Sequence, residues 1–176
     1  TLDEQMRDVL QFLPGVFDQK IRKIVMNKSY RNTMEIARYA EKLTGVKDVE
    51  LLKRHGKDVV EEEFRTEDAV LDEILSKSKL GEDEYETAAI ITMTEAEAST
   101  LYQILKARGE EVHYIDRNSS VFKKGLTVTT FYLAKGLEFD QVFGVFQDVG
   151  NPMLNQAKYI CATRALHELY MYQITE

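Results

Sequence analysis

Cysteine occurs once in the 176 residues, at Cys161, so no disulfide can form within the chain. A reducing, cytoplasmic setting is the natural inference. No run approaches the ~18 consecutive apolar residues of a membrane span, and the opening Thr1-Leu2-Asp3-Glu4-Gln5 lacks the basic-then-apolar pattern of a secretory leader. No membrane partner is expected, and the absent initiator Met suggests a trimmed or excised chain. A net basic charge is also lacking. The formal charge of −7 repels nucleic-acid phosphates, which argues against autonomous nonspecific nucleic-acid binding. The G-x-x-x-x-G-K-S/T loop that cradles phosphates and holds magnesium through its hydroxyl is missing. His55, His113 and His167 are far apart in sequence with no ligand spacing or CxxC partner, so no protein-ligated metal is expected. There is no internal repeat, low-complexity tract or Pro-rich linker.

What remains is a composition of 44% hydrophobic and 30% charged residues, ordinary for a soluble globular domain. The length fits one domain with a real core. Acid concentrates in Glu61-Glu62-Glu63 and Gly81-Glu82-Asp83-Glu84-Tyr85-Glu86, read as solvated strand or loop positions, while Lys123-Lys124 leave room for a local basic edge.

Periodicity divides the chain into alternating elements. Lys23 to Met26 reads as a short strand, and Thr33 to Leu43 places apolar residues at helical spacing with Gly45 as the stop. Val49 to Leu52 and Val59 to Phe64 are expected to pair as a hairpin around Gly56. Asp68 to Leu80 returns to helical periodicity ended by Gly81. Ala88 to Met93 is a continuous apolar run, as buried parallel strands tend to be, and a helix follows from Glu95 to Arg108. Val112 to Ile115, Leu126 to Phe131, Val142 to Phe146 and Leu169 to Tyr172 read as further strands. Asn151-Pro152 should start a helix reaching about Ala165. Strands alternating with helices predict a three-layer α/β domain with a mostly parallel central sheet. Cys161 and the methionines Met26, Met34, Met93, Met153 and Met171 fall on apolar positions and read as core.

Three segments carry chemistry. Lys135-Gly136-Leu137-Glu138-Phe139-Asp140, after the strand ending Thr129-Thr130-Phe131-Tyr132, is similar to motif V of the UvrD/Rep-type superfamily 1 helicases. Ala162-Thr163-Arg164-Ala165 resembles their motif VI, and Ser29-Tyr30-Arg31-Asn32-Thr33 followed by Glu35-Ile36 resembles their motif IV. The three occur in the family's order over nearly the whole chain. Only Asp116 to Gly125 separates two adjacent strands where larger relatives insert an accessory subdomain, and Tyr132-Leu133-Ala134-Lys135-Gly136 stands where many relatives have His-Ser-Ala-Lys-Gly. Both features make the chain most similar to the HelD, helicase IV-like, branch.

The resemblance implies a second RecA-like, P-loop NTPase-type domain over 1–176, without the Walker A loop and without the accessory insertion, as one piece of a larger protein. It implies Mg-ATP in the cleft shared with an N-terminal RecA-like domain of the same polypeptide, with the magnesium ligands on that domain. Arg164 and Arg31 would be the catalytic γ-phosphate contacts, Tyr30 the stacking face for adenine and Glu138 an acceptor for ribose hydroxyls. Lys135 and Gly136 would form the nucleotide-facing turn, and Thr130 and Tyr132 the link to single-stranded DNA. Tyr132 departs from the family's usual His. Hydrolysis would drive movement on DNA as a helicase or translocase; the HelD-like alternative directs the ATPase at RNA polymerase, and a third reading is a non-catalytic interaction domain. The piece by itself is expected to be inactive. Read without the resemblance, Arg31 and Arg164 are surface ion-pair residues at helix ends, Tyr30 a core-edge tyrosine and Glu138 a surface carboxylate.

Overall fold

A computed structural model describes residues 32–45, 55–81, 84–118, 124–147 and 150–175. The expected strands at 23–26 and 49–52 lie outside the described residues.

Three of the described helices form where threonine caps them. α1 (Met34–Thr44) starts at Thr33, whose hydroxyl accepts from the Ile36 N–H, and ends at Gly45, whose φ of 72° lets its N–H return to the Glu41 carbonyl. α2 (Glu67–Lys77) and α3 (Glu95–Ala107) begin in the same way at Thr66 and Thr94, with acidic residues in their first turns. α4 (Leu154–Arg164) has no side-chain cap from Met153; Asn151 Oδ1 instead accepts from the Met153 N–H at 2.9 Å. α2 stops at Lys77 rather than running to Gly81. Ser78 turns extended, and the Lys79 N–H donates to Gln141 Oε1 at 2.9 Å, which a helix continuing through Lys79 would preclude.

Among the described residues the strands are β1 (Val60–Phe64), β2 (Thr87–Thr92), β3 (Val112–Tyr114), β4 (Gly125–Thr130), β5 (Phe139–Phe146) and β6 (Ala165–Ile174). They form a six-stranded sheet in the order β1-β6-β5-β2-β4-β3, and every pairing is parallel. Val59 to Phe64 thus yields a strand, but its partner here is β6, with Val60 opposite Tyr170. The other half of the expected hairpin lies outside the described residues.

Side chains alternate along the strands, so the sheet is covered on both faces. Ala89, Ile91, Val142, Leu169 and Met171 meet Ile36 and Ala40 of α1 and Ala157, Ile160 and Cys161 of α4. Ala88, Ile90, Val128, Phe143, Tyr170 and Tyr172 meet Val70, Leu71 and Ile74 of α2 and Ala98, Leu101 and Leu105 of α3. The result is three layers with α1 and α4 on one side and α2 and α3 on the other. β4 and β5 both flank β2, so residues 131–138 must carry the chain from the far end of β4 past β2 to the start of β5. Phe131, Tyr132 and Ala134 of that link are buried in the α1/α4 layer.

β5 and β6 begin three and four residues earlier than their apolar runs suggest. The added positions include Gln141 and Glu168, polar yet buried, because they partner each other. Gln141 Nε2 donates to Glu168 Oε1 at 3.2 Å, and Lys79 Nζ to Glu168 Oε2 at 2.8 Å. The Tyr170 hydroxyl donates to the same carboxylate and accepts from Lys57 Nζ at 2.9 Å. Between Phe139 and Gln141 the register slips, with Phe139 opposite Ala165 but Gln141 opposite Glu168, so β6 carries one extra residue here.

Burial is the largest single influence on Glu168 and pushes its pKa up, but Lys79, Tyr170, Tyr85 and Gln141 together hold it below the usual carboxylate value. A carboxyl depressed in the folded state adds stability above its unfolded pKa of about 4.3 and loses it as pH falls through the depressed value. Glu168→Ala is therefore expected to cost about 3 kcal/mol in urea unfolding at neutral pH, with a smaller loss below the carboxylate range, where the wild-type group is protonated.

Candidate functional site

The α4 to β6 junction places a cation inside the fold. Arg164 is the last residue of α4 and only 5% exposed. Its Nε donates to Thr163 Oγ1 at 3.2 Å, and that hydroxyl donates to the Ile160 carbonyl at 2.7 Å, so the root of the side chain is tied to the helix that carries it. Burial lowers the guanidinium pKa, and the electrostatic influence of Glu138 and then Tyr159 opposes that shift. An arginine stays protonated through such a shift. The surface ion-pair alternative for Arg164 is thereby overturned: the residue is buried because α4 is packed between α1 and the sheet, with Gln156, Ala157 and Tyr159 to Arg164 all buried.

Glu138, at the end of the 131–138 link one residue before β5, acts on this cation electrostatically. It is half-buried. The third segment arrives through Asn32, whose carboxamide donates to the carbonyls of Ala162 at 2.9 Å and Ala165 at 2.7 Å. Beside it, Thr33 caps α1, and Gly56 packs so closely that an added Cβ would lie 2.6 Å from the Thr33 methyl. The Gly56 N–H and His55 Nδ1 both sit 2.8 Å from the Glu35 carboxylate, and the His55 hydrogen bond is the largest reason that the Glu35 pKa lies below its ordinary value. Segments around residues 32–33, 138–139 and 162–165 thus converge at the starts of β5 and β6.

The remaining expected site residues separate into three groups. Tyr30 and Arg31 lie outside the described residues. Lys135 and Gly136 are exposed at the bend of the link, where Gly136 has φ of 83° and the Leu137 N–H closes onto the Ala134 carbonyl at 3.0 Å. Thr130 and Tyr132 are 1% and 9% exposed, and the Tyr132 ring meets Phe131 edge-on at 5.4 Å. Both are buried, Thr130 as the last residue of β4 and Tyr132 as part of the apolar side that the link turns toward the core. Asn32, Tyr159 and Thr163 belong to the site but were not singled out from the sequence. Asn32 could have been found from its place within the Tyr30-Arg31-Asn32-Thr33 segment; Tyr159 reads as ordinary helix core.

Other reactive groups lie elsewhere. Cys161 is wholly buried and its thiol pKa is pushed up by burial, so it is poorly nucleophilic. His113 faces the Lys124 carbonyl at 3.1 Å, and His167 lies 3.5 Å from Asp140 and stacks on Tyr85. Among the described residues no three His, Cys, Asp or Glu side chains are grouped to hold a metal, and no helix is long and apolar enough to cross a membrane.

Against solved structures, the chain is similar to the C-terminal domain of a possible DNA helicase from Lactobacillus plantarum. The two share 27% identity over 82% of this chain and 86% of that one, with a TM-score of 0.61. The fold is RecA-like. A slighter likeness, with 12% identity and a TM-score of 0.43, joins 65% of this chain to 28% of the arterivirus nonstructural protein 10 helicase solved with DNA; it is too small to carry an argument. No protein-family model matches the chain, and no curated protein does. The RecA-like domain therefore supports a helicase-type motor domain by its fold and its similarity to a helicase C-terminal domain.

Gly136 supplies a direct test of the link. No atom lies within 4 Å of a Cβ added there, so substitution strains the backbone alone. Gly136→Ala is expected to lower stability by about 1 kcal/mol in urea unfolding, with Gly136→Asn losing less because Asn tolerates positive φ.

Proposed function

We propose that this chain is the second motor domain of an ATP-dependent DNA helicase or translocase of the UvrD/Rep superfamily 1 type, which completes an ATP site formed with an N-terminal RecA-like domain. The observation that carries the reading is the buried Arg164, fixed at the α4 to β6 junction beside Glu138. Phosphoryl transfer spreads negative charge over the γ-phosphate oxygens, and a guanidinium presented from a facing domain stabilises that charge. A site shielded from water strengthens the effect, and a side chain already held in place needs little reorganisation.

In this reading the donors on this domain are a guanidinium and the exposed ammonium of Lys135, which suit phosphate oxygens. The resemblance to the helicase family implies that the ligands of Mg²⁺ lie on the facing domain. Glu138 accepts from ribose hydroxyls, Tyr30 stacks on adenine and Arg31 is the second γ-phosphate contact. Thr130 and Tyr132 are buried, so they influence a bound single strand through the link they support. ATP closes the cleft because the closed state binds it more tightly, and release reopens it. Alternating grip on single-stranded DNA then yields movement.

The short connection between the adjacent strands β3 and β4, positions 115–124, favours the HelD-like branch. Its version of the cycle is directed at RNA polymerase. ATPase stimulation by RNA polymerase in place of single-stranded DNA decides for that version.

The decisive experiment is nucleic-acid-stimulated ATP hydrolysis by the polypeptide that carries both RecA-like domains, wild type against Arg164→Ala, with thermal unfolding of both measured. Turnover is expected to fall by about 10³-fold or more while ATP still binds. Unchanged turnover would overturn the assignment and favour a non-catalytic interaction domain.

A further inference from the structure

Asn32 stands one residue ahead of the α1 cap and is 7% exposed. Both hydrogens of its amide are committed, one to the Ala162 carbonyl and one to the Ala165 carbonyl. Those two carbonyls bracket Arg164. The Ala162 carbonyl also accepts the Ala165 N–H that ends α4, so a single side chain spans the last turn of the helix and the first residue of β6. A hydroxyl has one hydrogen to donate and cannot bridge both carbonyls; a carboxylate has none and would set its oxygens against theirs.

We infer that Asn32 is a positioning residue for the transition-state arginine: it locks the peptide that carries Arg164 to the start of α1, so that the guanidinium has one orientation relative to that segment. This rests on the reading of Arg164 given above. Asn32 itself touches no substrate. Its influence passes through the backbone of 162–165, and a displacement of the reacting geometry by 1 Å is enough to cost about 10²-fold in rate. The polar satisfaction is also of the kind that a burial argument demands, because both acceptors are buried beside the amide and would otherwise lack those bonds.

The inference is tested in the two-domain polypeptide by steady-state ATPase kinetics of Asn32→Ala, Arg164→Ala and the double variant. Asn32→Ala is expected to lower kcat by about ten- to a hundredfold while KM for ATP moves by less than about twofold. In the Arg164→Ala background the same change should alter kcat by less than about twofold, because both substitutions remove one function. A loss of thermal stability with kcat unchanged would overturn the inference, as would a kcat loss that persists undiminished in the Arg164→Ala background. Should Asn32→Ala not stay folded, Asn32→Ser keeps one donor, and the same comparison is read from it, with a kcat between wild type and Arg164→Ala expected. Loss of turnover in Arg164→Ala with Asn32→Ala silent removes only this inference. An unaffected Arg164→Ala removes the function reading itself.

Discussion

Parallel pairing across the six described strands obliges every connection between them to travel the length of the sheet before the next strand can begin. Two consequences shape the molecule. The connections carry apolar side chains across the sheet faces, as residues 131–138 do with Phe131, Tyr132 and Ala134. The chain must also re-enter the sheet repeatedly at the edge where strands start, where backbone and side-chain polar groups are brought out of water together. Asp140 shows the local solution. Its Oδ2 accepts from the Glu86 and Thr87 N–H groups at 3.0 and 3.1 Å, which fixes the start of β2 against the start of β5.

Among the described residues Glu168 and Arg164 are buried charges of opposite sign at that edge, and their surroundings differ in kind. Glu168 is enclosed by donors from Lys79, Gln141, Tyr170 and Tyr85, enough to hold its carboxylate ionised despite burial. Such an arrangement is structural: breaking it leaves unpaired groups, which costs several kcal/mol. Among the described residues Arg164 donates to the neighbouring Thr163 hydroxyl and feels the fields of Glu138 and Tyr159, and burial prevails over those fields. A buried charge whose surroundings do not offset its burial is a candidate for function.

The helices were legible because their signals are local. Thr33, Thr66 and Thr94 each precede an acidic first turn, and Gly45 ends α1 through a backbone angle that a glycine tolerates without cost. β2 was legible because Ala88 to Ile91 is buried on both faces and so apolar throughout. The starts of β5 and β6 were not, because Gln141 and Glu168 are buried only by virtue of each other and of Lys79, far away in sequence. The pairing of β1 with β6 is likewise nonlocal: Glu61, Glu62 and Glu63 are exposed, so their sequence carries no sign of the neighbour. At the site, the residue types were readable but their burial was not. Arg164 looks like a surface residue until α4 is seen to be enclosed, and nothing local in the sequence marks Thr130 and Tyr132 as buried.

The position of Arg164 at the last turn of α4 explains how a cation can be kept there. The carbonyl end of a helix carries partial negative charge, which favours a cation in its final turn by up to about 2 kcal/mol when partly buried. Glu138 adds a full negative charge from a different segment. Both attractions are weaker than that of a terminal phosphate, which carries more charge and presents several acceptor oxygens to a planar guanidinium. A phosphate entering beside Arg164 would therefore compete with Glu138 for the guanidinium instead of meeting an already neutralised group. Glu138 stands at the end of the link and Arg164 at the end of α4, so the two groups that would compete stand on the two segments that lead into β5 and β6.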